Sequence, residues 1–356
     1  MNDRVADPQG VRASAVQVRA PGFSVIEILK IREVGLLVIL LLTSVALTLL
    51  APRSFPTPQN IFNVLRFVSY IALSAFGECM VIITGGIDLS VGSVMGLSGI
   101  SGALVMAAGL STPWGILASL AMGTFWGLVN GLLVSKVKMQ PFIVTLGTMS
   151  IARGLCYGLT GGWPVPSRGR AAVEDLPDSF VFLGQGMLHV PFLSDIWPTF
   201  KIPYPLIFML IMGLITAFFL SRTVRGRHIY ATGGNPEAAR LVGIATDNIK
   251  LLVYTLCGLL SGIGGMLMTA RLGTGDPRGG ETYELDVIAA VVVGGTSLQG
   301  GEGSIPGALL AAIFMQLIRN GMTLLRIDPY WQPLAIGSVI ILGVMIDQFT
   351  RSRRAE

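Results

Sequence analysis

The sequence predicts an all-α, polytopic membrane protein of about ten transmembrane helices in two inverted five-helix halves. Three observations predict it. First, 52% of the 356 residues are hydrophobic and only 13% are charged, with a mean hydropathy of +0.70. Soluble domains carry about 25% charged residues, so the deficit marks lipid as the solvent. Second, the apolar residues fall into long runs separated by short polar connections. Third, the 45 glycines exceed what a leucine-rich bundle needs. Glycine lets membrane helices approach closely and permits helix breaks.

Residues 1–32 form a basic tail carrying Arg4, Arg12, Arg19, Lys30 and Arg32; its stretch Ser14–Ile31 reads either as a surface-lying amphipathic helix or as a disordered tail. No cleavage site of a signal peptide follows the first apolar run. A transmembrane domain covers residues 33–350 and a short tail 351–356. Its runs are Val34–Leu50, Val64–Thr84, Val91–Ala108, Trp114–Val134 and Phe142–Leu159, then Pro205–Leu220, Leu251–Ala270, Asp286–Leu298, Ile305–Leu317 and Pro333–Phe349. Asp286–Leu298 is too short to cross a bilayer unaided and reads as part of a broken, tilted or re-entrant segment. With both termini in the cytoplasm, the inside segments hold fifteen of the 25 Lys and Arg and the outside loops seven, as the positive-inside rule requires. The loop 160–204 then faces outward, with Trp163 and Trp197 suited to the interface.

The net charge of +5 reflects these cytoplasmic loops; the aromatic residues lie within apolar runs, so nucleic-acid binding is excluded. Cys79, Cys156 and Cys257 stand apart in apolar stretches without a C-x-x-C spacing, which makes them packing residues and indicates no metal, redox group or cofactor.

Two stretches resemble each other. Thr84–Ser93 and Gly294–Ser304 are both Gly-rich connections between apolar runs, and Asn130-Gly131 before Pro141 has a parallel in Asn320-Gly321 before Pro333. Five spans per half would give the halves opposite topology, an arrangement common in transporters.

Within the first stretch Asp88 lies between two apolar runs with little other charge nearby. It caps the helix that follows, or with Ser90 it touches a solute path, or both. Glu78 sits inside a span, where a charge is costly; it pairs with Arg66 or Arg153, or it binds protons. Asn130, Thr145, Thr148, Thr296 and Asn320 are further polar candidates for a path. The segment Gly233–Gly243 spells a short cytoplasmic helix. Asn235 is its N-cap, Pro236 its first residue, Glu237 suits the positive end of its dipole, and Gly243 stops it. Some seven residues are too few to be stable alone, so this helix docks on something.

Enzyme motifs fail. Gly96-Leu97-Ser98-Gly99 has the form of a membrane serine protease, but the only histidines, His189 and His228, lie in loops. There is no zinc motif and no phosphate loop, so any ATPase is a separate chain.

At these motifs the chain resembles the permease subunits of ribose- and galactose-type ABC importers. The resemblance rests on Gly85–Gly92, Pro141–Thr148, Gly233–Gly243 and Val293–Gly301, in that order, and covers nearly everything after the tail. It implies two permease copies or paralogues in the inner membrane, a cytoplasmic ATP-binding subunit and a periplasmic solute-binding protein. Glu237, Ala238 and Ala239 with Gly243 match the motif that docks on the ATPase, with Asn235 and Arg240 beside them. A small polar solute, a monosaccharide foremost, is expected, moved by alternating access. The competing expectation is an ion-coupled secondary transporter using Glu78, Asp88 and Asp286.

Overall fold

The structure, a computed structural model, describes residues 32–167, 175–189 and 201–355. The basic tail, Trp197 and parts of the outer loop lie outside the described residues. The helices are α1 (Arg32–Leu50), α2 (Pro58–Ile83), α3 (Val91–Ala107), α4 (Thr112–Ser135) and α5 (Pro141–Thr160), then α6 (Asp178–Gln185) and α7 (Tyr204–Arg222). They continue as α8 (Val224–Gly234), α9 (Pro236–Leu241), α10 (Thr246–Leu272), α11 (Tyr283–Val293), α12 (Ile305–Leu324) and α13 (Gln332–Ala355). A two-stranded antiparallel ribbon, β1 (Met187–His189) and β2 (Lys201–Pro203), pairs Met187 with Pro203.

Every expected apolar run falls wholly or in large part on a helix, and among the described residues seven helices (α1, α2, α4, α5, α7, α10 and α12) are long and apolar enough to cross a membrane. α11 has 11 residues. At 1.5 Å per residue it rises about 16 Å, roughly half of a hydrocarbon core. Several boundaries need correction: α10 opens at Thr246, α11 stops at Val293 and α13 runs on to Ala355, and two further ends are extended by polar residues. The run expected from Val64 begins at Pro58, where Thr57 accepts from the Asn60 N–H at 3.3 Å and Pro58 opens the helix. The run expected to end at Leu317 continues to Leu324. In both cases polar side chains that look like the end of a span face protein instead of lipid.

α2 and α10 form the centre of the molecule. Of α2's most apolar window 89% is buried, and of α10's 67%, against 17% for α1. A helix buried on all sides is apolar without amphipathicity, and membrane helices shed lipid contact only by packing on other helices. α4 presents Gly115, Ser119, Gly123, Gly127 and Gly131 at intervals of four, one face of the helix. That face meets Gly258 and Gly262 of α10. A Cβ on Gly123 would lie 2.8 Å from the Gly262 Cα, and one on Gly127 would lie 2.9 Å from the Gly258 Cα. The two backbones touch, which only small residues allow.

The helix pairs repeat. α4 packs on α10 as α12 packs on α2; α3 touches α4, α5 and α10 as α11 touches α12, α13 and α2. This makes α2 through α5 the counterparts of α10 through α13. Asn130 and Asn320 therefore occupy the same place in the two halves, on α4 and α12. The two Gly-rich connections do not: 84–90 follows α2, while 294–304 follows α11. Their likeness has a local cause. Both are helix ends closed by a left-handed glycine, Gly85 at φ +78° and Gly295 at φ +89°. Gly86 N donates to Val81 O at 3.2 Å and Thr296 N to Val291 O at 3.1 Å, the same terminating turn in each.

Candidate functional site

After α2 ends, the chain folds back along it. Asp88 N donates to Glu78 Oε1 at 3.0 Å, five residues before the helix terminus. Asp88 then collects the start of α3: its Oδ1 accepts from Ser90 N at 2.8 Å and from Ser90 Oγ at 2.5 Å. From α4, Asn130 Nδ2 reaches Ser90 Oγ at 2.9 Å and Asp88 Oδ2 at 3.3 Å. From α5, Thr148 Oγ1 donates to Asn130 Oδ1 at 2.6 Å, and Thr145 Oγ1 to Ile87 O at 3.3 Å. The sequence candidates Asp88, Ser90, Asn130, Thr145 and Thr148 thus meet in one network. None of them is more than 3% exposed. Backbone freed by a helix break must be satisfied inside protein, and this network does so.

Glu78 pairs with neither arginine expected of it. Its carboxyl meets Asp88 N and, at 3.8 Å, Cys257 Sγ. Arg66 instead donates to Gln185 O at 3.2 Å, and Arg153 to Pro277 O and Gly279 O, each at 2.9 Å. Asp286 is neutralised: Arg319 Nη2 lies 2.6 Å from its Oδ2. Thr296 bonds the Cys79 Sγ at 3.3 Å, which places it beside the Glu78 level of α2. Among the described residues no group of His, Cys, Asp and Glu is arranged to hold a metal ion.

α9 forms as its residues dictate. Asn235 Oδ1 accepts from Glu237 N and Ala238 N, each at 3.0 Å, and Gly243 turns the chain at φ +87°. Its two sides differ. Ala239 is buried, and Arg240 reaches Thr246 Oγ1 at 2.8 Å, so these two fasten α9 to α10. Glu237 and Ala238 are exposed, and beyond them Leu241 and Val242 stand 89% and 77% exposed. The sequence reading missed this apolar pair, although a hydrophobic pair closing a charged helix was visible.

α8 carries α9 onto both Gly-rich helix ends. A Cβ on Gly233 would collide with Ile83 O and with Gly301 N, and Gly301 N itself donates to Ile83 O at 2.9 Å. Tyr230 Oη donates to Gly303 O at 2.7 Å. Burial pushes the Tyr230 hydroxyl up to about 12, so it stays a donor at neutral pH.

Asn320 lies elsewhere. It exchanges side-chain hydrogen bonds with Asn60, whose Nδ2 donates to Asn320 Oδ1 at 3.0 Å while Asn320 Nδ2 donates to Asn60 Oδ1 at 2.7 Å, on the wall of a cavity of about 360 Å³. Asn60 stands 18 residues before Glu78 on α2, roughly 27 Å along the helix. The cavity also takes Asn63, Gln316, Arg319 and Gln332, none of which the sequence reading singled out. Their signal was spacing: Asn60 with Asn63, and Gln316 with Arg319 and Asn320, are polar pairs at i+3 and i+4.

A buried core helix, glycine-closed breaks, a sealed polar network and a projecting capped helix describe a multi-pass membrane protein. The chain belongs to the family described as branched-chain amino acid transport system / permease component, whose pattern matches residues 60–346. It is 39% identical to the ribose import permease protein RbsC of Escherichia coli (strain K12), over 88% of this chain and 92% of that protein. It is 40% identical to RbsC of Bacillus subtilis (strain 168), over 88% and 91%. The xylose transport system permease protein XylH of Escherichia coli (strain K12) is 32% identical, over 96% and 98%. No solved structure matches the chain.

Proposed function

We propose that this chain is the transmembrane permease subunit of an ATP-driven importer that carries a monosaccharide across the bacterial inner membrane. The observation that carries the reading is α9: a capped six-residue helix holding itself to the protein by Ala239 and Arg240 while offering Glu237, Leu241 and Val242 outward. An exposed apolar pair on so short a helix is explained by a partner that covers it. The names of the ribose and xylose permeases support the sugar. Both termini and α9 face the cytoplasm in this reading, as the Lys and Arg distribution requires.

The partners are a cytoplasmic ATP-binding subunit, a periplasmic solute-binding protein and a second permease copy or paralogue. ATP closes the ATPase pair, and α9 moves with it. α8 passes that motion through Gly233 and Tyr230 to the helix ends at Ile83 and Gly301–Gly303. Those ends are where the chain already departs from helix, so they can shift without breaking a ladder of hydrogen bonds. The permeases then alternate between outward and inward openings, driven by the ATPase's different affinities for the two states. Asp88, Ser90, Asn130, Thr145, Thr148 and Thr296 act in this scheme as the fixed support of the moving break.

The test is co-purification from mild detergent. Wild type should retain an ATP-binding subunit, and Glu237→Lys with Leu241→Asp should lose it while the chain stays folded. Ala239 is unsuitable for such a test because it is buried within the chain itself. Uptake by the purified chain alone, driven by a proton or sodium gradient, would replace this reading with an ion-coupled carrier.

A further inference from the structure

We infer that the cavity between α2, α11, α12 and α13 is a solute site for a neutral polyhydroxyl molecule of monosaccharide size, at the end of the molecule opposite α9. The inference rests on the proposed sugar permease and assigns residues to its solute. Gln316 is only 7% exposed and lines the cavity; its amide is not sealed within protein but open to whatever enters that space. A solute hydroxyl that enters the cavity can take the place of water on this amide. Asn63, half-buried, lines the same space. Each amide offers both a donor and an acceptor, which is what a hydroxyl needs.

The charge of the walls sets the solute class. Among the described residues Arg319 is the only charged one lining the cavity, and Asp286 neutralises it at 2.6 Å. Its Nη1 is further held by Gln332 Oε1 at 3.1 Å. The site therefore presents a fixed, neutral set of hydrogen-bonding groups. A zwitterionic amino acid would bring an ammonium with no counter-charge and a carboxylate facing an arginine already paired, and both charges would lose water without compensation. A sugar brings none. Val64, Ile71 and Leu324 supply apolar wall for its C–H faces, and about 360 Å³ lies within the range of small-molecule pockets.

The experiment uses the full chain with the ATP-binding and solute-binding subunits that co-purify with it, in proteoliposomes. Radiolabelled D-ribose, D-xylose and L-leucine are the probes. The soluble subunit sets the apparent KM, so the readout is solute moved per ATP hydrolysed at saturating solute. Gln316→Leu should lower this ratio for a pentose by about tenfold, the loss expected when a polar contact vanishes and a partner is left unmet. Asn63→Ala, at a half-buried position, should lower it about threefold. ATP hydrolysis and subunit assembly should stay at the wild-type level. Unchanged ratios in an assembled Asn63→Ala complex and in any assembled Gln316→Leu complex would overturn the pocket and leave the permease reading intact. ATP-driven uptake of leucine without either pentose would overturn the neutral-solute assignment while keeping the importer. No ATP-driven uptake of any probe by wild type would remove the proposed function and this inference together.

Discussion

At the scale of single residues, the buried carboxyl groups divide by how they are satisfied. Asp88 and Glu78 have no cationic partner; N–H and O–H groups of the fold hold them. Asp286 depends on Arg319. Removing one member of a buried pair leaves an uncompensated charge, at a cost of about 3–5 kcal/mol, whereas replacing both by apolar residues is often neutral. Arg319→Met alone should therefore destabilise the detergent-solubilised protein strongly, and Arg319→Met with Asp286→Leu should recover most of the loss. Thermal unfolding of the two singles and the double, read as a cycle, checks this. An additive cycle would mean that the pair is not coupled.

At the scale of elements, α9 shows why a six-residue helix can exist. Isolated helices of this length do not form in water. Here Asn235 satisfies two free N–H groups at one end, and Ala239 and Arg240 fix the other side to α10. Asn235→Ala removes the cap at a cost of about 1 kcal/mol. Because α9 frays without opening the bundle, the expected outcome is weaker retention of the ATP-binding subunit with little change in melting temperature. Titrating the purified subunits against each other measures the first and a thermal scan the second; equal affinity would argue against α9 as the docking element. The same logic explains the ends of α2 and α11. Left-handed glycines close both, and a turn so closed leaves Gly301 free to bond Ile83.

At the scale of the whole molecule, lipid-facing helices wrap a core made by α2 and α10, which bring the two halves together. All three cysteines are buried and free: Cys79 on α2 and Cys257 on α10 lie in that core, and Cys156 on α5 lies in a separate cluster with Leu97 and Ile100 of α3. A membrane-permeant maleimide should leave the native protein unlabelled over minutes and modify three thiols after denaturation. Mass spectrometry counts them, and labelling of native Cys79 or Cys257 would show the halves to be less closely packed than described. Legibility in the sequence follows the same division. The apolar runs were legible because each reports a transfer into lipid that no tertiary contact has to supply. The cap, first residue and stop of α9 were legible because they are local chemistry.

What the sequence could not decide is which way a polar residue inside a span faces. Asn60, Asn63, Gln316 and Arg319 look like the ends of apolar runs, and the runs were cut short at Val64 and Leu317; packing of α2 against α12 turns them inward onto a shared cavity. For Asp88 and Ser90 the sequence left capping and a solute path both open, with Asn130 and Thr148 as path candidates; four elements meeting at one break join them in one network. The sequence by itself determined the all-helical membrane class, the helix breaks and the short capped helix α9, since hydropathy, glycine and capping act over a few residues. Only the tertiary structure decided which glycine-rich ends correspond and which polar groups are sealed or open. Those depend on side chains far apart in the chain, and burial there is set by the neighbour and not by the residue.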